Sequence, residues 1–417
     1  MPLPLTRAFA RYIAAPALDA VPADVLPTVL NGFIDTVGVL LSGRTEAVTQ
    51  ACLKLTARRC GAPESRVLLG PQRSLAADAA FVNAVSAHAL DYDDMALNGH
   101  PSVVLVPALL AAGEPLRSTD ATLLHAYVVG YEIWAELASR EPDPLHGKGW
   151  HPTSVTGTVA AAAAVAHLVG LDAPTASHAL GIAASMASGL LGNFGSMTKP
   201  LHAGWAASHA IEAVQLAQYG VTASANILEG PTGFLAAFSP AGRSLRHDWE
   251  PGDLALRSSG LSIKKYPVCY ALHRVIDGML DLKRAYGFAA DQVDQITGTV
   301  SNLNARVLHA HAPTDALAAK FSMEFVCAIA AIEGAVGLHQ VTDELVARAD
   351  VRKLMTRVIT ETVPAGCPEE PNFALHDRVV VNLRDGRVLD SGPIRYPRGH
   401  ARLPLPSQDL RDKFLGC

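Results

Sequence analysis

The stretch GWHPTSVTGTVAAAAAVAHLVG, residues 149–170, decides the fold. Proline at position 152 disfavours helical geometry in the residue before it and is well tolerated at the first position of a helix. The residues after this proline are Ala-rich and apolar, yet they include His167 and fall short of the roughly 20 residues that a membrane span needs. We therefore predict a buried core helix that begins just after His151.

Two other segments place a chemically active side chain before a proline. DYDDMALNGHPS covers residues 91–102 and MTKPLHAG covers residues 197–204. The proline rule predicts that His100, His151 and Lys199 all lie at helix boundaries, where side chains can face a cleft. Imidazoles move protons near neutral pH and an ammonium group can hold a carboxylate, so the three segments favour acid–base chemistry on an anionic small molecule.

These segments, in this order, resemble the MmgE/PrpD family, which includes 2-methylcitrate dehydratases, cis-aconitate decarboxylases and iminodisuccinate epimerases. Further matches are LEGPTGF (228–234), KKYP (264–267) ahead of His273, AKFSM (319–323) and YPRGH (396–400). The resemblance runs from the N-terminal helices almost to the last residue.

Composition limits the possible classes of protein. A chain of 417 residues is too long for one ordinary core, and 49% hydrophobic with 18% charged residues is typical of a globular protein. A net charge of −5 without a basic tract argues against nucleic-acid binding. The N-terminus lacks the pattern of a secretion signal, so we expect a cytoplasmic protein without a membrane partner.

The spacing of apolar residues predicts a mostly α protein with two domains. Residues 1–261 show helical periodicity, with segments such as 25–41, 74–89, 121–138, 155–169, 175–191 and 206–219. Residues 262–391 add a strand at 295–301 and a hairpin through Asp385-Gly386, which predicts a smaller α+β domain. The resemblance implies the same division, with residues 392–417 returning to the helical domain and the smaller domain acting as a lid.

Asp91, Asp93 and Asp94 crowd three carboxylates into four positions. Without the resemblance, a solvated turn or a divalent-ion site would explain them as well as catalysis, although the spacing is not that of a calcium loop. By the resemblance, Asp91 matches the family's active-site aspartate. We expect it to orient a histidine or to raise its basicity.

The remaining site predictions concern two histidine segments and the lysine. A lone histidine is more often structural, but the resemblance places His100 among the substrate-contacting residues, with proton transfer next to a carboxylate as its task. His151 opens a helix whose free N–H groups attract a carboxylate, with Thr153 and Ser154 as candidate capping residues. Lys199 is expected to clamp a carboxylate and to stabilise enolate-like charge, and His202 shares its face.

From the second domain, the resemblance implies that Lys265 and His273 reach the substrate, although an ordinary basic patch would look the same. Two positions depart from the family pattern, Met95 in place of a threonine and Phe325 in place of a decarboxylase tyrosine, and both disfavour decarboxylation. The six cysteines form no Cys-x-x-Cys pair, which argues against an iron–sulfur cluster. His309 and His311 lack an evident third ligand, so we expect neither metal nor cofactor.

The sequence thus predicts a cofactor-independent lyase of the 2-methylcitrate dehydratase type. It would remove a proton alpha to a carboxylate of a small di- or tricarboxylate and eliminate water, in a homodimer with its site between the helical domain and the lid. An epimerase using the same proton abstraction is the alternative. A cis-aconitate-type decarboxylase and a non-catalytic relative that only binds are less favoured.

Overall fold

The computed structural model describes residues 4–16, 21–59, 61–140, 145–238 and 249–417. The chain divides into two units by its internal contacts. The first comprises Met1–Gly192, Thr198–Leu261 and Gln408–Cys417, and the second comprises Asn193–Met197 and Ser262–Ser407.

The first unit is built of helices, as its periodicity predicts. They are α1 (Leu5–Ala14), α2 (Leu26–Gly43), α3 (Ala47–Thr56), α4 (Ala76–His88), α5 (Pro101–Leu116), α6 (Asp120–Ser139), α7 (Pro152–Leu168), α8 (Ala173–Met186), α9 (Thr198–Gln218), α10 (Phe234–Phe238) and α11 (Ala255–Ser258). A two-residue antiparallel pair, β1 (Ser65–Arg66) and β2 (Arg73–Ser74), lies between α3 and α4.

Small residues let the central helices of this unit approach closely. Every alanine from 160 to 164 in α7 is fully buried, which confirms the predicted core helix. In α9, a Cβ on Gly204 would lie 2.9 Å from the carbonyl oxygen of Phe81 in α4 and 2.5 Å from Val85. Only glycine therefore permits the observed spacing of α4 and α9, the two helices that carry much of the candidate site.

Proline positions explain where the site helices begin. His100 is the N-cap of α5 and His151 is the N-cap of α7, each followed by a proline in the first turn. Lys199 is the second residue of α9, so all three predicted boundary positions are confirmed. The sequence periodicity places the start of this last helix at 206, which is wrong, because proline at 200 lies in the first turn rather than ahead of the helix.

The second unit combines helices with one mixed sheet. Its elements are α12 (His273–Tyr286), β3 (Val293–Ser301), α13 (Asn302–Val307), α14 (Ala316–Ala319), α15 (Met323–Glu333), α16 (Asp343–Ala347), α17 (Ala349–Met355), β4 (Val358–Val363), β5 (Arg378–Leu383) and β6 (Val388–Asp390). The strand order is β4-β3-β5-β6. The β5–β6 hairpin turns at Gly386, whose φ of 89° suits glycine, as predicted.

The C-terminal segment returns to the helical unit later than predicted. Residues 392–407 group with the second unit, and the return is made by 408–417 within α18 (Ser407–Gly416). Polar contacts explain the difference, because the backbone N–H of Arg398 donates to Asp277 of α12 at 2.7 Å. The N–H of Ile263 donates to the carbonyl of Gly399 at 2.8 Å, which fixes the segment further.

Among the described residues, α2 alone has the length and hydropathy of a membrane span, and 44% of that window is buried. A buried core helix passes the same test, so the helix is weak evidence for a membrane.

Candidate active site

A sharp turn after α4 presents the three aspartates. Asp91 has a φ of 52°, in the left-handed region that aspartate tolerates better than most residues but which still costs about 1–3 kcal/mol. Its N–H donates to the carbonyl of His88 at 3.2 Å. The turn therefore directs the carboxylates of Asp91, Asp93 and Asp94 to different partners, and all three are buried.

The first carboxylate of the turn, that of Asp91, pairs with the lysine. Its Oδ1 lies 2.8 Å from Nζ of Lys199, and both side chains are at most 6% exposed. Nε2 of His100 lies 4.0 Å from the same oxygen. The predicted carboxylate clamp thus already holds one carboxylate of the protein, and a substrate anion would share the ammonium group with it.

The second carboxylate serves the histidines. Oδ1 of Asp93 lies 2.9 Å from Nδ1 of His88, and Oδ2 lies 2.9 Å from Nδ1 of His100. Nδ1 of His100 is also 2.8 Å from the carbonyl oxygen of Asp94. Because oxygens surround both Nδ1 atoms, both rings carry their proton on Nδ1 when neutral, which leaves Nε2 basic. Asp93 therefore orients His88 and His100 through their Nδ1 atoms, while Asp91, the predicted partner, lies near the other ring nitrogen of His100.

Neighbouring charges separate the protonation states of Asp93 and Asp94. Burial alone would raise the pKa of Asp93, but His88 and His100 outweigh it and hold that pKa well below its usual range. Burial raises the pKa of Asp94 well above its usual range, against the hydrogen bond from Ser102 and with the charges of Asp35 and Asp93 adding to the rise. The pKa values of the two neighbouring carboxyls are thus shifted in opposite directions, and Asp94 holds its proton more readily than Asp93 does.

Close contacts join the two His-Pro turns. The N–H of His100 donates to Oγ1 of Thr153 at 3.2 Å, so this threonine links the start of α5 to that of α7 rather than capping its own helix. A Cβ on Gly99 would lie 2.7 Å from the ring of Trp134 and 3.2 Å from the backbone nitrogen of Thr153. Glycine at this position is what lets the turns meet.

The second His-Pro turn brings His151 to His202. Their Nδ1 atoms lie 3.1 Å apart, which a single shared proton permits. The carbonyl oxygen of Gly189, which has a φ of 114°, accepts a hydrogen bond from the N–H of His151, and a Cβ at this position would lie 2.9 Å from Ser154. Burial, then the charge of Lys199, lowers the pKa of His151 well below its usual value and that of His202 to about 4. Both imidazoles are neutral at pH 7 and can accept a proton.

Two histidines that the sequence analysis did not select belong to the same cluster. His88 ends α4, and its ring centroid lies 4.6 Å from that of His100 and 5.8 Å from that of His151. The centroid of His146 lies 6.5 Å from that of His151. His88 could have been found from its place three residues before Asp91, in the last turn of an Ala-rich helix, where a polar side chain is otherwise unexpected.

Lys413 of the C-terminal helix α18 anchors the turn that carries Asp91 and Asp93. Nζ of Lys413 donates to the carbonyl oxygen of Tyr92 at 2.7 Å, lies 2.6 Å from Oδ1 of Asp35 and lies 3.9 Å from the centroid of the Tyr92 ring. Lys413 thus holds the backbone at Tyr92, between Asp91 and Asp93, in place.

Comparison with known proteins agrees with this arrangement. The MmgE/PrpD N-terminal domain matches residues 7–244 and the MmgE/PrpD C-terminal domain matches residues 266–417. The chain belongs to the MmgE/PrpD family. It is 31% identical to the cis-aconitate decarboxylase of Mus musculus over 81% of this chain and 70% of that protein. It is 28% identical to the cis-aconitate decarboxylase of Homo sapiens over 81% of this chain and 71% of that protein.

A cis-aconitate decarboxylase-like protein of Aspergillus oryzae is 26% identical over 83% of this chain and 75% of its own length. By their names, the two mammalian relatives are enzymes that act on a carboxylate, which supports an enzymatic role for this MmgE/PrpD chain. The names correspond to the reaction that the sequence analysis favoured less, and they do not establish a hydro-lyase.

The second unit of the MmgE/PrpD chain holds the other two predicted site residues. His273 begins α12, is fully buried, and packs its ring 5.1 Å from those of Tyr266 and Tyr270. Lys265 is half-buried in the segment before it. Their contact with a substrate stays a prediction, whereas Asp91, His100, His151, Lys199 and His202 lie together in the helical unit.

The histidine cluster also contains donor atoms that could hold a metal ion. A ring nitrogen of each of His88, His100 and His151 lies within 4.8 Å of the other two. Nδ1 of His88 and Nδ1 of His100 already contact Asp93, so these two rings have Nε2 left for an ion. By contrast, His311 of the predicted His-x-His pairs with Glu324 at 2.9 Å on the surface.

Proposed function

We propose that this MmgE/PrpD chain is a lyase that transfers a proton at the carbon alpha to a carboxylate of a small di- or tricarboxylate. One observation carries the proposal: His100, whose Nδ1 lies 2.9 Å from Oδ2 of Asp93, belongs to the same buried cluster as Lys199, whose Nζ lies 2.8 Å from Oδ1 of Asp91. A base and a fixed cation side by side are what enolate formation requires.

Each group in the cluster has a distinct task in this mechanism. His100 takes the proton through Nε2, and Asp93 keeps that ring in the right tautomer and stabilises the imidazolium that forms. Lys199 holds a substrate carboxylate and offsets the charge that develops on it. The His151–His202 pair, after taking up a proton as the anionic substrate binds, gives it to the leaving hydroxyl, which departs as water.

Loss of water is the step we propose after proton removal. Position 95 carries methionine and position 325 phenylalanine, and neither supplies the hydroxyl that the decarboxylase pattern suggests there. Decarboxylation of cis-aconitate is the second candidate, since both mammalian relatives carry that name. We further propose that the protein works as a cytoplasmic homodimer without metal or cofactor, away from nucleic acid and membranes.

A single incubation series separates the reactions. The protein is mixed with citrate, 2-methylcitrate, cis-aconitate or a small dicarboxylate in deuterated water, and products are followed by proton NMR together with release of carbon dioxide. We expect interconversion of a hydroxy acid and its alkene, with deuterium at the alpha carbon. Carbon dioxide release would support the decarboxylase instead, and deuterium exchange without an alkene would support an epimerase.

Ligand binding is tested on the same acids by thermal shift. The acid that is turned over should raise the melting temperature of the wild type but not that of Lys199→Met. The matched control is Lys283→Met, whose ammonium donates to the carbonyl of Phe288 beside its own helix and should keep the shift. Binding without turnover of any acid would contradict the proposed activity and favour a binding protein.

A further inference from the structure

His88 is buried in a way that a purely structural histidine rarely shows. Its side chain is 0% exposed and its Nδ1 lies 2.9 Å and 3.0 Å from the two oxygens of Asp93. Its Nε2 is buried and has no hydrogen-bond partner among the described residues. Leaving such a group unpaired typically costs about 1–3 kcal/mol, so a role beyond packing is expected.

The ring of His88 packs against the two histidines to which we assign proton transfer. It meets the ring of His100 edge-on, at 64°, and stacks against that of His151 at 21°. The charged and titratable groups that face it are Asp91 and Asp93 from the turn, His100 before α5, His151 before α7, and Lys199 from α9. His88 is thus enclosed by the other members of the cluster.

We propose that His88 is a positioning residue that shares the carboxylate of Asp93 with His100 and thereby sets the basicity of His100. This inference deepens the proposed function and rests on it. One carboxylate receives two Nδ1–H groups, so each imidazole feels only part of its negative charge. Without the donor at position 88, Asp93 would interact with His100 alone and would hold a proton on that ring more strongly.

The chemical consequence concerns the acid side of the pH profile. A base works only when it is unprotonated, so the pH below which activity is lost follows the protonation of His100. Removing the Nδ1–H of residue 88 should move that limit to higher pH. A donor of the same position and shape should move it back.

Two substitutions at position 88 form the test. The side-chain amide of His88→Asn places an N–H close to where Nδ1 stood, while His88→Leu keeps the volume and removes the donor. In His88→Leu we expect the acid limb of kcat to rise by about one pH unit, and kcat to fall roughly tenfold or more while KM changes less. His88→Asn should restore most of kcat and the wild-type limb.

A matched control and a fold measurement accompany the two variants. His125→Asn makes the same change at a buried histidine of the same unit that hydrogen-bonds to His167 at 2.8 Å, and it should leave the limb in place. Melting curves confirm that each variant is folded. An unchanged limb in folded His88→Leu, or an equal loss of kcat in the leucine and asparagine variants, would overturn the inference.

A measurement without substrate keeps this inference separate from the proposed function. Nitrogen-15 NMR of histidine-labelled protein reports the tautomer and the protonation of His100 as the pH is changed. We expect His100 to take up its proton at higher pH in His88→Leu than in the wild type, even if no acid that is tried is turned over. Identical titration in both proteins would reject the role of His88, whatever reaction the wild type catalyses.

Discussion

Each unit of the protein contains a buried charged cluster, and the two clusters are built on different principles. In the helical unit, Asp91 and Asp93 are balanced by Lys199 and by imidazoles whose Nε2 atoms stay basic. In the second unit, Arg274 is fully buried and forms an ion pair with Glu370 at 2.7 Å.

Several short contacts surround the guanidinium of Arg274, although its Nε and both carboxylate oxygens of Asp377 have no hydrogen-bond partner among the described residues. Arg274 also donates to the carbonyl of Ala374 at 2.9 Å and lies 4.5 Å from the ring centroid of Phe373. Burial raises the pKa of Asp377 to about 7, against the charge of Arg274, so this carboxylate is largely protonated in mildly acidic solution. Burial, then the charge of Arg274, lowers the pKa of His400 to about 4. This cluster joins α12 to the segments around the sheet.

The comparison separates stability from chemistry. A buried guanidinium with a carboxylate, a carbonyl and a ring around it holds backbone segments together, and removing it leaves charge without compensation. Both clusters leave buried polar atoms without a hydrogen-bond partner among the described residues, Nε2 of His88 in one and Nε of Arg274 with both carboxylate oxygens of Asp377 in the other. The histidine cluster differs because it combines several imidazoles with a lysine, which are the groups that proton transfer uses. Substitutions in the histidine cluster should therefore change rate, and those in the arginine cluster should change folding.

The largest expected effect is the difference between two adjacent aspartates. Asp93→Asn replaces an ionised carboxylate and lets His100 adopt the wrong tautomer, so kcat should fall roughly 10³–10⁴-fold. Asp94→Asn changes a carboxyl whose side-chain oxygens contact Ser102 and whose pKa is raised, so kcat should fall about tenfold at most. Steady-state kinetics on both variants, with the turned-over acid, measures the difference. Equal losses would show that the separation of the two protonation states is wrong.

The next effect belongs to the second unit. Arg274→Met should lower the free energy of unfolding by about 3–5 kcal/mol, because Glu370 then keeps a buried charge without its partner. Urea unfolding measures the loss, and kcat per folded molecule should stay near the wild-type value. Arg284→Met is the control, since that side chain is 75% exposed and should change stability by less than about 0.5 kcal/mol. A large loss of kcat in folded Arg274→Met would contradict the view that the arginine cluster serves stability and the histidine cluster serves chemistry.

A smaller effect is expected where the C-terminal helix supports the aspartate turn. Lys413→Met removes the ammonium that binds the Tyr92 carbonyl and Asp35, so stability should fall by about 1–3 kcal/mol. Because the turn then loses its anchor, kcat should fall as well, with the exposed Arg411→Met as the control. If kcat is unchanged while stability falls, the helix only packs and does not position the turn.

Stability should also depend on pH. The pKa of His88 is lowered to about 3 and that of His202 to about 4 by burial, whereas an unfolded histidine titrates near pH 6.5. Between these values only the unfolded chain takes up protons, so stability falls as the pH falls below 6.5, by up to about 1.4 kcal/mol per pH unit for each histidine. Below about pH 5 the lowered pKa of Asp93 adds to the fall, because an unfolded aspartate titrates near pH 3.9 while folded Asp93 stays ionised.

Urea midpoints at pH 7 and pH 5 check this slope. His88→Asn removes one group that the unfolded chain protonates, so its stability should fall less than that of the wild type between the two values. A steeper fall in the variant would mean that His88 is charged in the folded state.

Much of the fold can be predicted from local sequence rules. Proline at 101 and 152 fixes the starts of α5 and α7 by steric restriction alone, and Asp385-Gly386 sets the hairpin for the same kind of reason. The parallel pairing of β3 with β4 was not predicted, since it joins residues about sixty positions apart and has no local signal. The late return of the C-terminal segment depends on the contact of Arg398 with Asp277, which is equally remote.

The sequence predicts which residues belong to the candidate site better than it predicts the contacts between them. The segments gave Asp91, His100, His151 and Lys199, but the choice of Asp93 as the partner of the imidazoles depends on the left-handed backbone at Asp91. Spacing alone cannot show which of three neighbouring carboxylates faces a ring. His88 was missed because spacing does not show that the last turn of α4 places its ring beside those of His100 and His151.

The most direct test of the proposed proton transfer is deuterium exchange at the alpha carbon of the acid that the wild type turns over. Rates are compared for the wild type, Asp93→Asn, His100→Asn and the structural variant Arg274→Met, all shown to be folded. We predict that exchange is lost in the first two variants and kept in Arg274→Met. Exchange at the wild-type rate in Asp93→Asn and His100→Asn would show that the buried cluster of the helical unit is not where the proton is transferred.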